Sequence, residues 1–354
     1  MIQPRIITYP IVGNEHGGIL HVYGEPTSPN VILYCGGFPD DHKPFTPLAR
    51  RLAEEADCVV GITCFPGFEP EAYHRCKFNG YKRRGYNFDE VCASIREATI
   101  QLFKQCDEAA ADSTLDDAGT PQFTIILHDW GVIPGLMFVN RAIEMKYSRH
   151  VPNKIVLLDV LTWPTDTMKE DVPLQSEVSY SLRPSIYELT VCFAYRFALA
   201  ASFFWLRFAS DILGLINMAI LTQLVVLFRL SPVKSLDSKL IDERAMQSKS
   251  SPLAYYRHLV YMCYPYYHMF IALLLQRGFE DIHIPRDLKA TPILYIYGTD
   301  KNIMFHNWKS LAILEREERE GTSKCKVVAV EDAGHWMYVQ KLERCFEEIK
   351  SFIR

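Results

Sequence analysis

The sequence predicts a doubly wound α/β domain, with a mostly parallel sheet of eight strands and a helical insertion. Three observations carry that expectation. Eight short apolar runs recur along the 354 residues, each of strand length. Helical patterns alternate with them, and that alternation favours parallel strands joined by crossover helices. The rhythm stops at about residue 165, gives way to helical and aromatic-rich sequence, and resumes at about residue 286.

The first two runs, Arg5–Val12 and Ile19–Tyr23, mix polar and apolar positions. From Val31–Cys35 onward, through Cys58–Thr63, Phe123–His128 and Ile155–Asp159, they are almost continuously apolar, as strands covered on both faces should be. Phe45–Ala56 reads as a helix after the third run. Phe88–Ala110 reads as another before the fifth, with Val91, Ile95, Ala98 and Leu102 along one face. After the insertion come a strand at Thr291–Tyr297, a helix at Phe305–Glu320, a strand at Lys326–Val330 and a helix at Leu342–Phe352. The chain thus divides into a core (1–164), a helical cap (165–285) and a second core segment that completes the sheet (286–354).

The apolar content of the cap needs its own reading. Ile212–Phe228 carries no charge and is closed by Asp211 and Arg229. It is slightly short of the ~20 apolar residues of a spanning helix, and the preceding segment, Tyr195–Arg207, holds two arginines. Lid helices over a hydrophobic pocket are favoured, a membrane-docking face is the second reading and a true span the third.

Composition excludes several classes. A net charge of -4 with mixed signs offers no basic field for nucleic acid. Ten cysteines occur without C-x-x-C pairs or ligand-like spacing. Cys35, Cys58, Cys192 and Cys263 lie inside apolar runs, so free thiols in a reducing compartment are expected. The N-terminus reads as a strand rather than a secretory signal. A cytoplasmic protein is expected, with membrane association left open by the cap.

Four stretches could carry chemistry. Phe123-Thr124-Ile125-Ile126-Leu127-His128-Asp129-Trp130-Gly131 is a strand ending abruptly in a polar turn, and a helical segment follows. Strand, sharp turn and helix lift one side chain above the C-terminal sheet edge, and here that side chain is Asp129. Tyr34-Cys35-Gly36-Gly37-Phe38-Pro39 follows the third strand with glycines that let a backbone N–H bend inward. Tyr297-Gly298-Thr299-Asp300 ends the seventh run, and Asp332-Ala333-Gly334-His335-Trp336 follows the last. Open α/β sheets place their sites at such strand ends. The adjacent Asp40, Asp41 and His42 cannot all face one ion and read as a solvated helix entry.

The order nucleophile, acid, histidine along the chain resembles the α/β-hydrolase superfamily. His128-Asp129-Trp130-Gly131, Gly37-Phe38-Pro39 and Gly334-His335 are similar to the branch of epoxide hydrolases and haloalkane dehalogenases, which use Asp in place of Ser. Three departures stand out. Leu127 occupies the elbow's first Gly position, Cys35-Gly36 precede Gly37 where His is usual, and only Thr299 separates Gly298 from Asp300. The resemblance implies Asp129 as nucleophile, His335 as base and Asp300 as supporting acid, with Asp159 as the alternative. It also implies the backbone N–H groups of Phe38 and Trp130 as an oxyanion hole.

On that reading Asp129 attacks an sp3 carbon, and His335 activates water to hydrolyse the resulting ester. An epoxide oxygen also needs a proton, and lid tyrosines are natural donors. The candidates are Tyr255, Tyr256, Tyr261, Tyr264, Tyr266 and Tyr267. A halide would instead need indole N–H donors, from Trp130 and either Trp163 or Trp205. The many cap tyrosines favour an epoxide and an apolar cap favours a small lipophilic substrate; water is the only co-reactant, and no metal or cofactor is expected. The competing readings are a haloalkane dehalogenase, an ester or lipid hydrolase, and a catalytically silent protein that binds lipid or membrane.

Overall fold

The computed structural model describes residues 3–11, 14–69, 84–112, 121–146, 149–166, 168, 186–228, 252–278 and 280–354. Val12 and Arg229, at the ends of two predicted runs, lie outside them. The main sheet has eight strands: β1 (Arg5–Ile11), β2 (Asn14–Tyr23), β3 (Asn30–Cys35), β4 (Cys58–Thr63), β5 (Gln122–His128), β6 (Lys154–Leu158), β8 (Ile293–Gly298) and β10 (Lys326–Val330). Two-residue strands β7 (Val160–Leu161) and β9 (Phe305–His306) pair with each other separately.

The sheet order is β1-β2-β4-β3-β5-β6-β8-β10. β1 and β2 form an antiparallel hairpin, and β2 meets β4 antiparallel. The remaining six strands run parallel. The order reverses direction at β3, so the crevice above β3 and β5 is the topological switch where a site is expected.

Two cores sandwich the sheet. Alternation along β3 shows why: Val31, Leu33 and Cys35 face one core, Ile32 and Tyr34 the other. The first core holds α2 (Phe88–Asp112), α3 (Val132–Glu144) and the inner face of the cap. The second holds α1 (Thr46–Glu55) and α9 (Leu342–Ile353), which buries Cys345, Phe346, Ile349 and Ile353 along one stripe.

Between β7 and β8 the described cap consists of α4 (Ile186–Phe208), α5 (Asp211–Leu227), α6 (Pro252–Met262) and α7 (Tyr264–Leu275). α4 packs against α5, α6 and α7. Its inner residues Phe203 and Leu206 are buried, whereas Ile186, Phe193, Phe197 and Phe208 are exposed on the outside.

Two local expectations are corrected. The segment 305–320 is not one helix: Phe305–His306 pairs with β7, and α8 (Trp308–Glu320) begins only at Asn307. The Asn307 side chain caps that helix by accepting from the Lys309 and Ser310 N–H groups. β2 also starts earlier than the run Ile19–Tyr23 predicted, because it pairs back onto β1 from Asn14. The nine described cysteines are all free thiols.

Candidate active site

β5 delivers His128 and then breaks. Asp129 has φ +50°, a left-handed backbone for a non-glycine residue, and opens a single 3₁₀ turn, Asp129–Gly131, that leads into α3. Such a conformation costs about 1–3 kcal/mol and persists only where the surroundings enforce it. The enforcement is visible. A Cβ on Gly131 would come within 2.3 Å of the Cys35 carbonyl oxygen, and one on Gly37 within 2.3 Å of the Trp130 nitrogen. The β3 loop and the β5 turn are therefore in backbone contact.

Leu127 stands where the elbow motif has glycine, and the room for it comes from the helix. A Cβ on Gly135 would lie 2.4 Å from Leu127 Cδ2. The glycine that relieves the turn sits eight residues downstream, on α3, and Leu127 is fully buried against it.

His335 lies past β10 and is buried. Its Nδ1 is 2.5 Å from Asp159 Oδ2 and its Nε2 is 3.5 Å from Asp129 Oδ1. Both ring nitrogens are thus engaged by carboxylates, one from β5 and one from the end of β6. This corrects the preference for Asp300. That residue's backbone N–H donates to the Ala333 carbonyl at 2.8 Å, whereas Asp159, fully buried and also in the left-handed region at φ +66°, is the carboxylate that meets His335 Nδ1.

The loop that was expected to supply the acid supplies a cation instead. Lys301 Nζ forms a buried ion pair with Asp159 Oδ1, which also accepts from the Gly298 N–H at 3.3 Å. Burial alone would raise the Asp159 pKa, but the charges of Lys301 and His335 hold it below the usual carboxylate value. Burial would likewise lower that of His335. The charge of Asp159 and hydrogen bonds to Asp129 and Asp159 outweigh burial and raise it to about 10. The resting pair is therefore imidazolium and carboxylate.

On the other side of Asp129, the Phe38 N–H donates to Oδ2 at 2.7 Å. The Trp130 nitrogen stands against Gly37 at the same turn. Beneath the site, Asp40 is a buried hub. It accepts from Trp336 Nε1 at 2.9 Å and from the Tyr338 hydroxyl at 3.1 Å, and lies 3.3 Å from His128 Nδ1. His128 Nε2 is in turn 3.1 Å from the His335 carbonyl oxygen. Asp40 is 1% exposed, so the solvated helix entry expected here does not describe it. Its donors Trp336 and Tyr338 lie 296 and 298 residues away and cannot be read locally.

Of the six cap tyrosines, only Tyr266 meets both oxyanion-segment and elbow residues. Its ring packs edge-on to Phe38 at 5.2 Å and to Trp130 at 4.9 Å. Tyr264 instead donates to the Pro66 carbonyl at 3.1 Å. Tyr261 packs against Gly67, Tyr267 stacks among Phe203 and Arg207, and Tyr255 packs on the half-exposed Tyr256.

A second tyrosine, not among the sequence candidates, joins Tyr266. Tyr195 on α4 lies 6.1 Å from it, ring to ring, and accepts a hydrogen bond from Arg196 Nε at 3.1 Å. Burial raises the pKa of both phenols, and the charge of Asp129 pushes the same way. Arg196 draws Tyr195 down and the Trp130 side chain draws Tyr266 down. The sequence signal was a Tyr-Arg pair inside an otherwise apolar helix. The two indoles considered as halide donors, Trp163 and Trp205, are 50% and 42% exposed.

No protein-family model matches the chain, and no curated protein matches it in sequence. Solved structures do. An epoxide hydrolase of Bacillus megaterium, solved with an inhibitor, is 14% identical over 99% of both chains, with a TM-score of 0.53. A thermophilic esterase from Thermogutta terrifontis is 12% identical over 99% of this chain and 98% of its own, with a TM-score of 0.53. Epoxide hydrolases of the α/β-hydrolase superfamily from hot-environment metagenomes give 14% identity over 100% and 99%, with a TM-score of 0.50.

Proposed function

We propose that this chain, which has the α/β-hydrolase fold, is an epoxide hydrolase that converts lipophilic epoxides to diols through an ester on Asp129. The observation that carries the reading is a pair of adjacent cap phenols, the buried Tyr266 and the partly buried Tyr195, whose ionisation is opposed by the charge of Asp129, the left-handed residue that faces His335.

In the first step an Asp129 oxygen attacks an epoxide carbon and the C–O bond breaks. The leaving oxygen takes its proton from a cap tyrosine, and Arg196 stabilises the phenolate formed at Tyr195. Esterification removes one of the two negative charges that hold the proton on His335. The imidazolium becomes more acidic and passes its proton through solvent to the phenolate, so the neutral imidazole can act as base. In the second step it deprotonates water, which attacks the ester carbonyl. The Phe38 and Trp130 N–H groups stabilise the oxyanion. Collapse releases the diol and restores the Asp129 carboxylate, and the proton taken from water stays on His335 as the imidazolium of the resting enzyme.

An esterase with this nucleophile would have to form an acid anhydride, which is a poor intermediate for acyl transfer. A dehalogenase would need a second halide donor, and the solvent exposure of Trp163 and Trp205 argues against either. The test is intact-mass spectrometry of His335→Gln after incubation with lipophilic epoxides and alkyl halides. A gain equal to the whole epoxide, mapped to Asp129, supports the proposal. A gain equal to an alkyl group alone would replace it with dehalogenation, and a folded protein without adduct would refute both.

A second reading concerns how the substrate arrives. Ile186–Phe208 and Leu253–Leu275 are long and apolar enough to cross a membrane. A third of the first window and half of the second are buried in the protein, which favours lying on a bilayer over spanning it. We infer that the exposed apolar face of the cap rests on a membrane holding the lipophilic substrate. Flotation with phosphatidylcholine vesicles should carry the protein upward, and a protein that stays wholly at the bottom refutes the docking.

A further inference from the structure

His21 on β2, His42 in the loop after Phe38, and Glu69 beyond β4 converge away from Asp129. Their potential donor atoms all lie within 4.8 Å of one another. His42 Nδ1 is 2.8 Å from Glu69 Oε2, and His21 Nε2 is 3.4 Å from Glu69 Oε1. The two imidazoles stack at 3.7 Å, so both present an edge to the same carboxylate. We propose that these three residues form a binding site for one divalent transition-metal ion of the zinc type, separate from the reaction centre.

The independent observation is His21. Its side chain is 8% exposed; among the described residues Nδ1 meets no hydrogen-bond partner, and Nε2 has only the long 3.4 Å approach to Glu69 Oε1. A buried imidazole so weakly paired is unusual in a folded interior, and a lone pair directed at an ion accounts for it. Donor chemistry selects the ion. Two imidazoles and a carboxylate, with a fourth position for water, form a zinc-type set, whereas calcium and magnesium take oxygen ligands. Tetrahedral bonds of about 2.0–2.2 Å place donors roughly 3.3–3.6 Å apart. The 3.4 Å separation already fits, and the 2.8 Å one must open by less than about 1 Å. The buried Cys64 thiol, 3.2 Å from Glu69 Oε1, adds a soft neighbour.

The three ligands come from three chain segments, one of them four residues past Phe38. A bound ion therefore staples the loop that carries the Phe38 N–H to β2 and to the segment after β4. The test is titration of the chelator-treated, full-length protein with zinc chloride by calorimetry. Cobalt chloride, followed by visible absorption, provides a second titration. One ion per chain should bind with micromolar or tighter affinity, and cobalt should give ligand-field bands of a nitrogen- and oxygen-bound site. His21→Ala and the gentler Glu69→Gln should each weaken binding at least ~10–100-fold, the loss expected even for an outer partner. With His42→Asn, whose position is only half-buried, the cobalt bands should vanish while the circular dichroism stays unchanged. Absence of saturable binding by the wild type would overturn the proposal. So would equal binding by the folded Glu69→Gln and His42→Asn variants, since the ion would then reside among the other histidines and cysteines.

Discussion

Replacing Asp159 by Asn separates two roles of one carboxylate. Asp159 and Lys301 are both 0% exposed and face each other directly. Removing one charge leaves the other buried and uncompensated, which costs about 3–5 kcal/mol. A melting entropy of ~2.1 cal/mol/K per residue over 354 residues gives roughly 0.7 kcal/mol/K, so the melting temperature should drop by about 4–7 °C. Catalysis should suffer separately, since Asn leaves His335 in place but removes the charge that supports its imidazolium. By analogy with other triads, turnover should fall ~10⁴-fold. Adding Lys301→Met should recover most of the stability and none of the activity. Calorimetry reads the first effect, and diol formation from an aryl epoxide reads the second. Asp300→Asn, which keeps its backbone bond to Ala333, should keep diol formation within tenfold of wild type. Activity of Asp159→Asn within tenfold of wild type would refute Asp159 as the acid. A double variant no more stable than the single one would refute the energetics of the pair.

General acids contribute ~10²–10⁴-fold, so Tyr195→Phe combined with Tyr266→Phe should slow ester formation by that factor. The same variant should leave hydrolysis of a preformed ester unchanged in rapid-quench experiments, and a loss under tenfold would exclude the phenols as donors. Gly135→Ala brings a methyl to 2.4 Å from Leu127 Cδ2 and should destabilise by about 1–3 kcal/mol. Leu127→Ala should rescue it, and failure of rescue would show that the pair is not coupled. The His335 pKa rises from 6.5 to about 10 on folding. The stability it contributes is therefore complete below the unfolded value and lost as pH climbs through the folded one. Urea denaturation between pH 7 and 10 should show this decline in the wild type and a flatter profile in His335→Gln.

The sheet was legible because its parallel strands, buried on both faces, must be continuously apolar, and such runs are easy to see. Asp129 and His335 were legible for a related reason: each belongs to a short turn whose shape is set within a few residues. The acid was not, since Asp159 and Asp300 both end strands and the sequence does not say which points at His335. The deciding partner was Lys301, next to the residue first preferred, and its side chain turns that loop from an acid donor into a cation donor. Leu127 looked like an obstacle because the compensating Gly135 lies on another element. Tyr195 escaped notice because an apolar helix carries no signal of which face overlies a residue 66 positions earlier in the chain. The pairing of Asp40 with Trp336 and Tyr338 is purely tertiary, and a local reading of two adjacent aspartates points the wrong way.

The division of labour between α4 and β5 has a kinetic meaning. The attacking oxygen belongs to the sheet, while the proton donors and Arg196 ride on the cap. On the proposed chemistry, a molecule that reaches Asp129 with the cap displaced meets half a catalyst: a carboxylate with nothing to protonate its leaving oxygen. On that chemistry the cap would act as an interlock, supplying the acid only where its phenols face the substrate. On that same proposed chemistry, in which the intermediate is the enzyme's own alkylated side chain, the arrangement would also guard against self-inactivation, because stray electrophiles not met by the cap phenols would not be helped to react.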